Sequence, residues 1–235
     1  MTGRQQAMTG KTCMVTGASS GIGKVTARRL AELGARVLMV CRSRERGQKA
    51  REEIARRSGN NDIELLICDL SSQRAIRELV IDFLARHDRL HVLVNNAGLM
   101  LRHRALTEDG LEMTFAVNHL AYFLLTNLLL DVIRISSPAR IVNVASVAHV
   151  TGTINFDDLQ GEKGYSSMGA YRQSKLANIL FTYELARRLE GTGVTVNCLH
   201  PGIIATGIAR DMPKIVGLVL KVFFTGAEKG ADSTL

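Results

Sequence analysis

Thr12-Cys13-Met14-Val15-Thr16-Gly17-Ala18-Ser19-Ser20-Gly21-Ile22-Gly23 passes from a short apolar run, through a glycine-rich turn, into an amphipathic stretch. Thr12–Thr16 reads as a strand and Ile22–Leu33 as a helix, so the glycines occupy a strand-to-helix turn. Glycine lets a backbone turn sharply there and approach a pyrophosphate. The following helix N-terminus offers free N–H groups and a partial positive charge. The spacing is GxxxGxG rather than GxGxxG. At this junction it predicts dinucleotide binding, with Gly17, Ser19, Ser20, Gly21, Ile22 and Gly23 as the cradle; a bare turn is the alternative.

The same alternation continues along the chain. Further strands are expected at Arg36–Cys41, Ile63–Cys68, Leu90–Asn95, Arg140–Ala145 and Thr195–His200. Helical patterns fall at Arg44–Ser58, Gln73–His87, Thr107–Ile133 and Gly169–Glu190. Strands apolar on both faces, separated by helices, predict a parallel sheet covered on both sides. The fold class is therefore α/β, a single Rossmann-type doubly wound domain spanning residues 1–235, with 1–10 as a flexible N-terminal segment. After the last strand come a loop, an apolar stretch, and a tail Gly226–Leu235 that reads as the beginning of a helix. The expectation is a sheet lacking its last C-terminal strand.

Composition narrows the function. The chain is 46% hydrophobic with three prolines, ordinary for a protein that buries a sizeable core. The widely separated Cys13, Cys41, Cys68 and Cys198 have neither metal-ligand nor redox spacing, so reduced core thiols are expected. His119, His149 and His200 lack ligand spacing with carboxylates or thiols, and no metal is expected. The net charge of +8 is spread through helices among glutamates, without aromatic interleaving. That argues against nucleic acid and for a basic cleft around a phosphorylated cofactor. No signal peptide is visible, and the apolar run Ile215–Phe224 is interrupted by Lys221 and too short to cross a bilayer. A cytoplasmic protein without a membrane anchor is the expectation.

In a doubly wound fold the residue after the second strand selects the dinucleotide. An acid there holds the ribose 2′-OH of NAD, and a basic residue accommodates the 2′-phosphate of NADP. Here Val40-Cys41 is followed by Arg42, with Arg44 close behind. A guanidinium is always charged and can bind phosphate in a bidentate manner, so NADP(H) is favoured, with NAD(H) left open. Asp69 and Leu70 follow the third strand; Asp69 either accepts from the adenine amino group or caps the next helix at Ser71-Ser72. Asn96, Ala97 and Gly98 in the Asn95-Asn96-Ala97-Gly98 loop either line the cofactor or stabilise a turn.

Tyr171 and Lys175 stand four apart, on one face of the predicted helix and one turn from each other. A free phenol ionises near pH ~10. A neighbouring ammonium favours the phenolate and brings proton transfer within reach near neutrality.

Together these motifs resemble the short-chain dehydrogenase/reductase family over essentially the whole chain. The carrying residues are TGASSGIG (16–23), NNAG (95–98), Asn118, Ser146, Tyr171 with Lys175, and Pro201-Gly202. The segments Val142–His149, Phe156–Leu159, Ser174–Asn178 and His200–Gly202 are similar to the retinol-dehydrogenase-like branch. Ser146 and Tyr171 are farther apart than in simpler members, and Thr151–Met168 looks like the insertion of that branch, placed at the substrate mouth. The resemblance implies a catalytic set of Asn118, Ser146, Tyr171 and Lys175. Tyr171 would exchange a proton with the substrate oxygen, and Ser146 would hydrogen-bond that oxygen. Lys175 would lower the Tyr171 pKa and hold the nicotinamide ribose, and Asn118 would help hold a relaying water. Pro201, Gly202, Ile203 and Thr206 would line the nicotinamide end, with Met100 in the substrate pocket or the core.

The expected function is an NADP(H)-dependent oxidoreductase interconverting a lipophilic carbonyl and its alcohol. The alternative is a dinucleotide-binding, redox-responsive module without turnover. Helices Thr107–Ile133 and Gly169–Glu190 are long and apolar enough to pair across a symmetric interface; the resemblance implies a homodimer or homotetramer, with a monomer left open.

Overall fold

The computed structural model of the protein describes residues 7–201. Six strands form one sheet: β1 (Thr12–Thr16), β2 (Arg36–Cys41), β3 (Ile63–Ile67), β4 (Val92–Asn95), β5 (Ala139–Val144) and β6 (Val194–Leu199). Their order is β3-β2-β1-β4-β5-β6, and every pairing is parallel. β1 to β5 each lead into helical structure. α1 (Gly21–Glu32) and α2 (Arg44–Ser58) follow β1 and β2, and α3 (Gln73–Leu84) follows β3. After β4 come α4 (Met113–Phe115), a π turn (Ala116–Leu120), α5 (Ala121–Leu128) and α6 (Leu130–Ile135). A 3₁₀ turn (Val147–Thr151) and α7 (Ser167–Arg188) lie between β5 and β6.

Alternation along the strands explains the two layers. Cys13, Val15, Val37, Met39 and Val94 point to one side and pack with Leu30, Ala31 and Ile54 of α1 and α2. Met14, Leu38, Val40, Leu93 and Ile141 point to the other and pack with Phe83 of α3, Leu125 of α5 and Leu185 of α7. Both faces are therefore dry, as the unbroken apolar strands require. The order reverses between β1 and β4, and in such sheets ligands bind outside the carboxyl ends of the strands at that reversal. Thr16-Gly17 and Asn95-Asn96 are the residues there.

Two expectations change. The helix expected at Thr107–Ile133 does not begin at Thr107. Thr107 to Gly110 form a turn, with Gly110 at φ +73° and the Thr107 N–H donating to the Leu111 carbonyl. Leu106 and Glu112 close it as an antiparallel bridge. Helical structure starts only where the Glu112 carboxylate accepts from the N–H groups of Thr114 and Phe115, at 2.9 and 2.7 Å. Residues 7–10, expected within a flexible segment, form a turn held by Met8 N–H donating to the Leu33 carbonyl at 2.9 Å. The expected missing last strand and the tail lie outside the described residues.

Candidate active site

The glycine turn and the NNAG loop fit against each other with no room for a side chain. Gly17 has φ +68°, and a Cβ on it would lie 2.9 Å from the Cα of Ala97. A Cβ on Gly23 would meet the Gly17 carbonyl oxygen at 2.6 Å. Thr16 ties the two segments: its Oγ1 accepts from the N–H groups of Asn96 (2.8 Å) and Ala97 (3.0 Å). The Asn96 amide returns a bond to the Thr16 carbonyl at 2.7 Å. Asn96, Ala97 and Gly98 thus form the floor beside the cradle, and the Ala97 carbonyl is held by the buried Tyr122 hydroxyl at 2.8 Å.

The start of α1 is open to an anion. Ser20 occupies its N-cap with extended backbone but no side-chain capping bond, and the first turn carries no acid. The starts of α2, α3 and α7 are instead capped by Ser43, Ser72 and Ser166. Uncapped N–H groups with Gly17, Ser19, Gly21, Ile22 and Gly23 around them suit a dinucleotide pyrophosphate. Ser19 also bonds the Cys41 thiol, whose pKa burial pushes up to about 11. Arg42 follows directly, exposed and making no hydrogen bond or ion pair among the described residues. Asp69 Oδ1 accepts from the Ser71 N–H (3.0 Å) and hydroxyl (2.8 Å), while Ser72 caps α3. Leu70 packs on the core.

The four candidate catalytic residues converge at the ends of β4 and β5. Ser146 follows β5 in extended backbone, and its Oγ accepts from the Ala148 N–H at 3.2 Å, leaving its own hydroxyl hydrogen to donate. Tyr171, in the first turns of α7, lies close enough to Ser146 for the serine hydroxyl to favour its phenolate. Lys175 is one turn on, 3% exposed, with Nζ 5.7 Å from the Tyr171 ring centroid. Nζ donates to the Val144 carbonyl at 2.9 Å. Burial lowers the Lys175 pKa to about 8.

The expected depression of the Tyr171 pKa is not what this geometry produces. Burial raises it, and the opposing influence comes from the Ser146 hydrogen bond. A hydrogen bond donated to an oxygen favours its anion, whereas a buried cation engaged with a carbonyl at a distance offers less.

Asn118 sits in the π turn, fully buried. Its Oδ1 accepts from the Leu99 N–H at 2.8 Å, and its amide donates to the Leu99 carbonyl (2.9 Å) and Ser174 Oγ (3.1 Å). A larger polar network backs it. Asn178 donates to the Asn118 carbonyl at 2.9 Å and contacts His119 Nδ1 at 3.0 Å. Asn95 donates to Thr126 and Asn143, and Asn143 to Thr182, all buried. These supporting residues were assigned no role from the sequence. Their signal was visible: asparagines inside valine-rich strands need partners when buried. Met100 is buried.

The insertion docks between the loop after β4 and α7. Arg104 donates to the Gln160 carbonyl at 2.8 Å, and Gln160 Oε1 accepts from the Glu112 N–H at 2.6 Å. Gln173 of α7 accepts from the Asn155 N–H at 2.9 Å and donates to the Leu159 carbonyl at 3.1 Å. Val147, Val150, Phe156 and Met168 stay exposed. Among the described residues no group of three or more His, Cys, Asp or Glu could hold a metal. No helix among them is long and apolar enough to cross a membrane. Cys13, Cys41 and Cys68 are free buried thiols, and Cys198 is free and half-buried. Pro201 ends the described residues; Gly202, Ile203 and Thr206 lie outside them.

Comparison with known proteins agrees with this geometry. Residues 11–215 match the short chain dehydrogenase family. Mouse retinol dehydrogenase 12 is 47% identical over 228 residues, covering 96% of this chain and 72% of that protein. A metagenomic short-chain oxidoreductase solved with NADP superposes with a TM-score of 0.75 at 28% identity, covering 97% of this chain and 90% of that one. The Pseudomonas aeruginosa RhlG/NADP complex gives 0.79 at 27% identity, covering 98% and 90%. A family match over most of the length, on a sheet whose reversal point holds the glycine turn and the tyrosine–lysine pair, makes this chain a member of the short-chain dehydrogenase family.

Proposed function

We propose that the protein interconverts an aldehyde or ketone and its alcohol with NADP(H), Tyr171 acting as general acid and base. The observation that carries this reading is the buried Lys175, its Nζ 5.7 Å from the Tyr171 ring and bonded to the Val144 carbonyl at the end of β5, with Ser146 two residues further along. A bound nicotinamide dinucleotide would supply or accept the hydride. The chain's own residues handle the oxygen. Ser146 donates to it, Tyr171 gives or takes its proton, and Lys175 holds positive charge where the phenolate develops. Asn118 fixes the Leu99 backbone opposite.

NADP(H) is favoured by Arg42, exposed at the end of β2 with no competing partner among the described residues. A lipophilic, retinol-like substrate is supported by the exposed apolar Val147, Val150, Phe156 and Met168 in the segment between Ser146 and Tyr171, and by the relative named a retinol dehydrogenase. Exposed Phe123 on α5, with Leu180 and Tyr183 on α7, supports a symmetric dimer.

The test is oxidation of NADPH and of NADH with a panel of aliphatic aldehydes, ketones and retinal. Turnover with NADPH rising with chain length is expected. Cofactor binding without turnover on any member would sink the enzyme reading and leave a binding module.

A further inference from the structure

The peptide unit joining Ser146 to Val147 is held at both ends by imidazoles. Its carbonyl oxygen lies 2.6 Å from His149 Nδ1. Its N–H donates to His200 Nδ1 at 3.2 Å. A carbonyl can only accept, so His149 must carry its hydrogen on Nδ1. The Val147 N–H needs an acceptor, so His200 must keep Nδ1 bare and its hydrogen on Nε2. The two rings therefore need opposite tautomers. They reach one peptide from different elements: His149 from the 3₁₀ turn, His200 from the residue after β6.

We infer that His149 and His200 are positioning residues that clasp the Ser146–Val147 peptide and so set the direction of the Ser146 hydroxyl. The inference rests on the reading of Ser146 as the partner of the substrate oxygen. The Ser146 carbonyl also accepts from the His149 N–H at 3.1 Å, which closes the 3₁₀ turn; the Val147 N–H has His200 as its acceptor. Ser146 Oγ is steered only by the Ala148 N–H one turn further along, and Val147 and Val150 are exposed. A rotation of the peptide would swing Oγ away from Tyr171, whose phenolate it favours. Charging His200 would remove the acceptor of the Val147 N–H, whereas charging His149 leaves its Nδ1–H donor in place.

The experiment uses the full chain and two readouts. Long-range ¹H–¹⁵N spectra of the imidazoles should show His149 protonated at Nδ1 and His200 at Nε2; the same tautomer in both overturns the clasp. Turnover of NADPH with a medium-chain aliphatic aldehyde is then compared across variants. His149→Phe and His200→Phe should each lower kcat about tenfold, the cost of one lost hydrogen bond, with KM for NADPH unchanged. His149→Asn and His200→Asn should recover most of it, since the asparagine amide or carbonyl stands where Nδ1 stood. Phe variants at wild-type kcat, or Asn variants no better than Phe, overturn the inference. Ser146→Ala separates the two readings. If it alone retains full kcat, the role of Ser146 fails; if it is inactive while the Phe variants are not, only the clasp fails.

Discussion

Tyr171 carries two opposing influences, and their balance decides its chemistry. Burial disfavours the phenolate and Ser146 favours it. The phenol therefore stays protonated at neutral pH, suited to giving a proton during reduction. Tyr171→Phe should lower kcat by at least about a hundredfold, the ordinary worth of a positioned acid, while NADPH affinity measured by fluorescence stays within a few-fold. Surviving turnover would move the acid elsewhere. Lys175 presents the converse case. Its pKa is about 8 in the fold against 10.5 free, because burial penalises the ammonium. Between those values the unfolded chain binds more protons, so stability from this group is present above pH ~10.5 and lost as pH falls to ~8. The span is on the order of 3 kcal/mol at 1.36 kcal/mol per pKa unit. In urea unfolding, Lys175→Met should therefore be most favourable relative to wild type below pH ~8. That advantage should shrink as pH rises to 10.5. A pH-independent difference would mean that burial does not lower the Lys175 pKa.

At the scale of elements, the strands were legible because a parallel sheet buried on both faces demands continuous apolar runs; β1 and β2 appear with their expected limits. Arg44–Ser58 was legible too, from the Ser43 cap and the Gly59 that ends it at φ +70°. The long helix at Thr107–Ile133 was misread at its start. Periodicity sees apolar spacing but not that Glu108-Asp109-Gly110 closes a turn, nor that Glu112 is buried as a cap. The backing network of Asn143, Ser174, Asn178 and Thr182 was legible only as a need for partners; which partners was hidden, because they come from β5 and α7, far apart in sequence. Arg42, by contrast, depends only on its place after β2. Arg42→Asp should raise KM for NADPH roughly tenfold to a hundredfold, the worth of charge-assisted contacts to a phosphate, and leave or improve KM for NADH. Unchanged discrimination between the two would remove the guanidinium from the cofactor reading.

For the whole molecule, the exposed apolar side chains of α5 and α7 raise the question of assembly. Phe123 of α5 is 49% exposed, and Leu180 and Tyr183 of α7 are 50% and 68% exposed. Phe123 and Phe181 are in ring contact at 5.4 Å, so α5 and α7 present these side chains as one surface. Scattered apolar residues on a surface need no explanation, but a contiguous set on two adjacent helices suits a partner. A twofold axis through that surface would bring each helix against its own copy and bury the set without another protein. The active site draws Tyr171 and Lys175 from the same α7, so a dimer would also stiffen the helix that carries them. Leu180→Glu should then convert a dimer to a monomer in sedimentation velocity at ~10 µM, because two like charges would meet across the axis. It should do so with NADPH affinity retained, since Leu180 lies outside the cradle. Wild-type protein that sediments as a monomer at that concentration would assign the face to solvent alone.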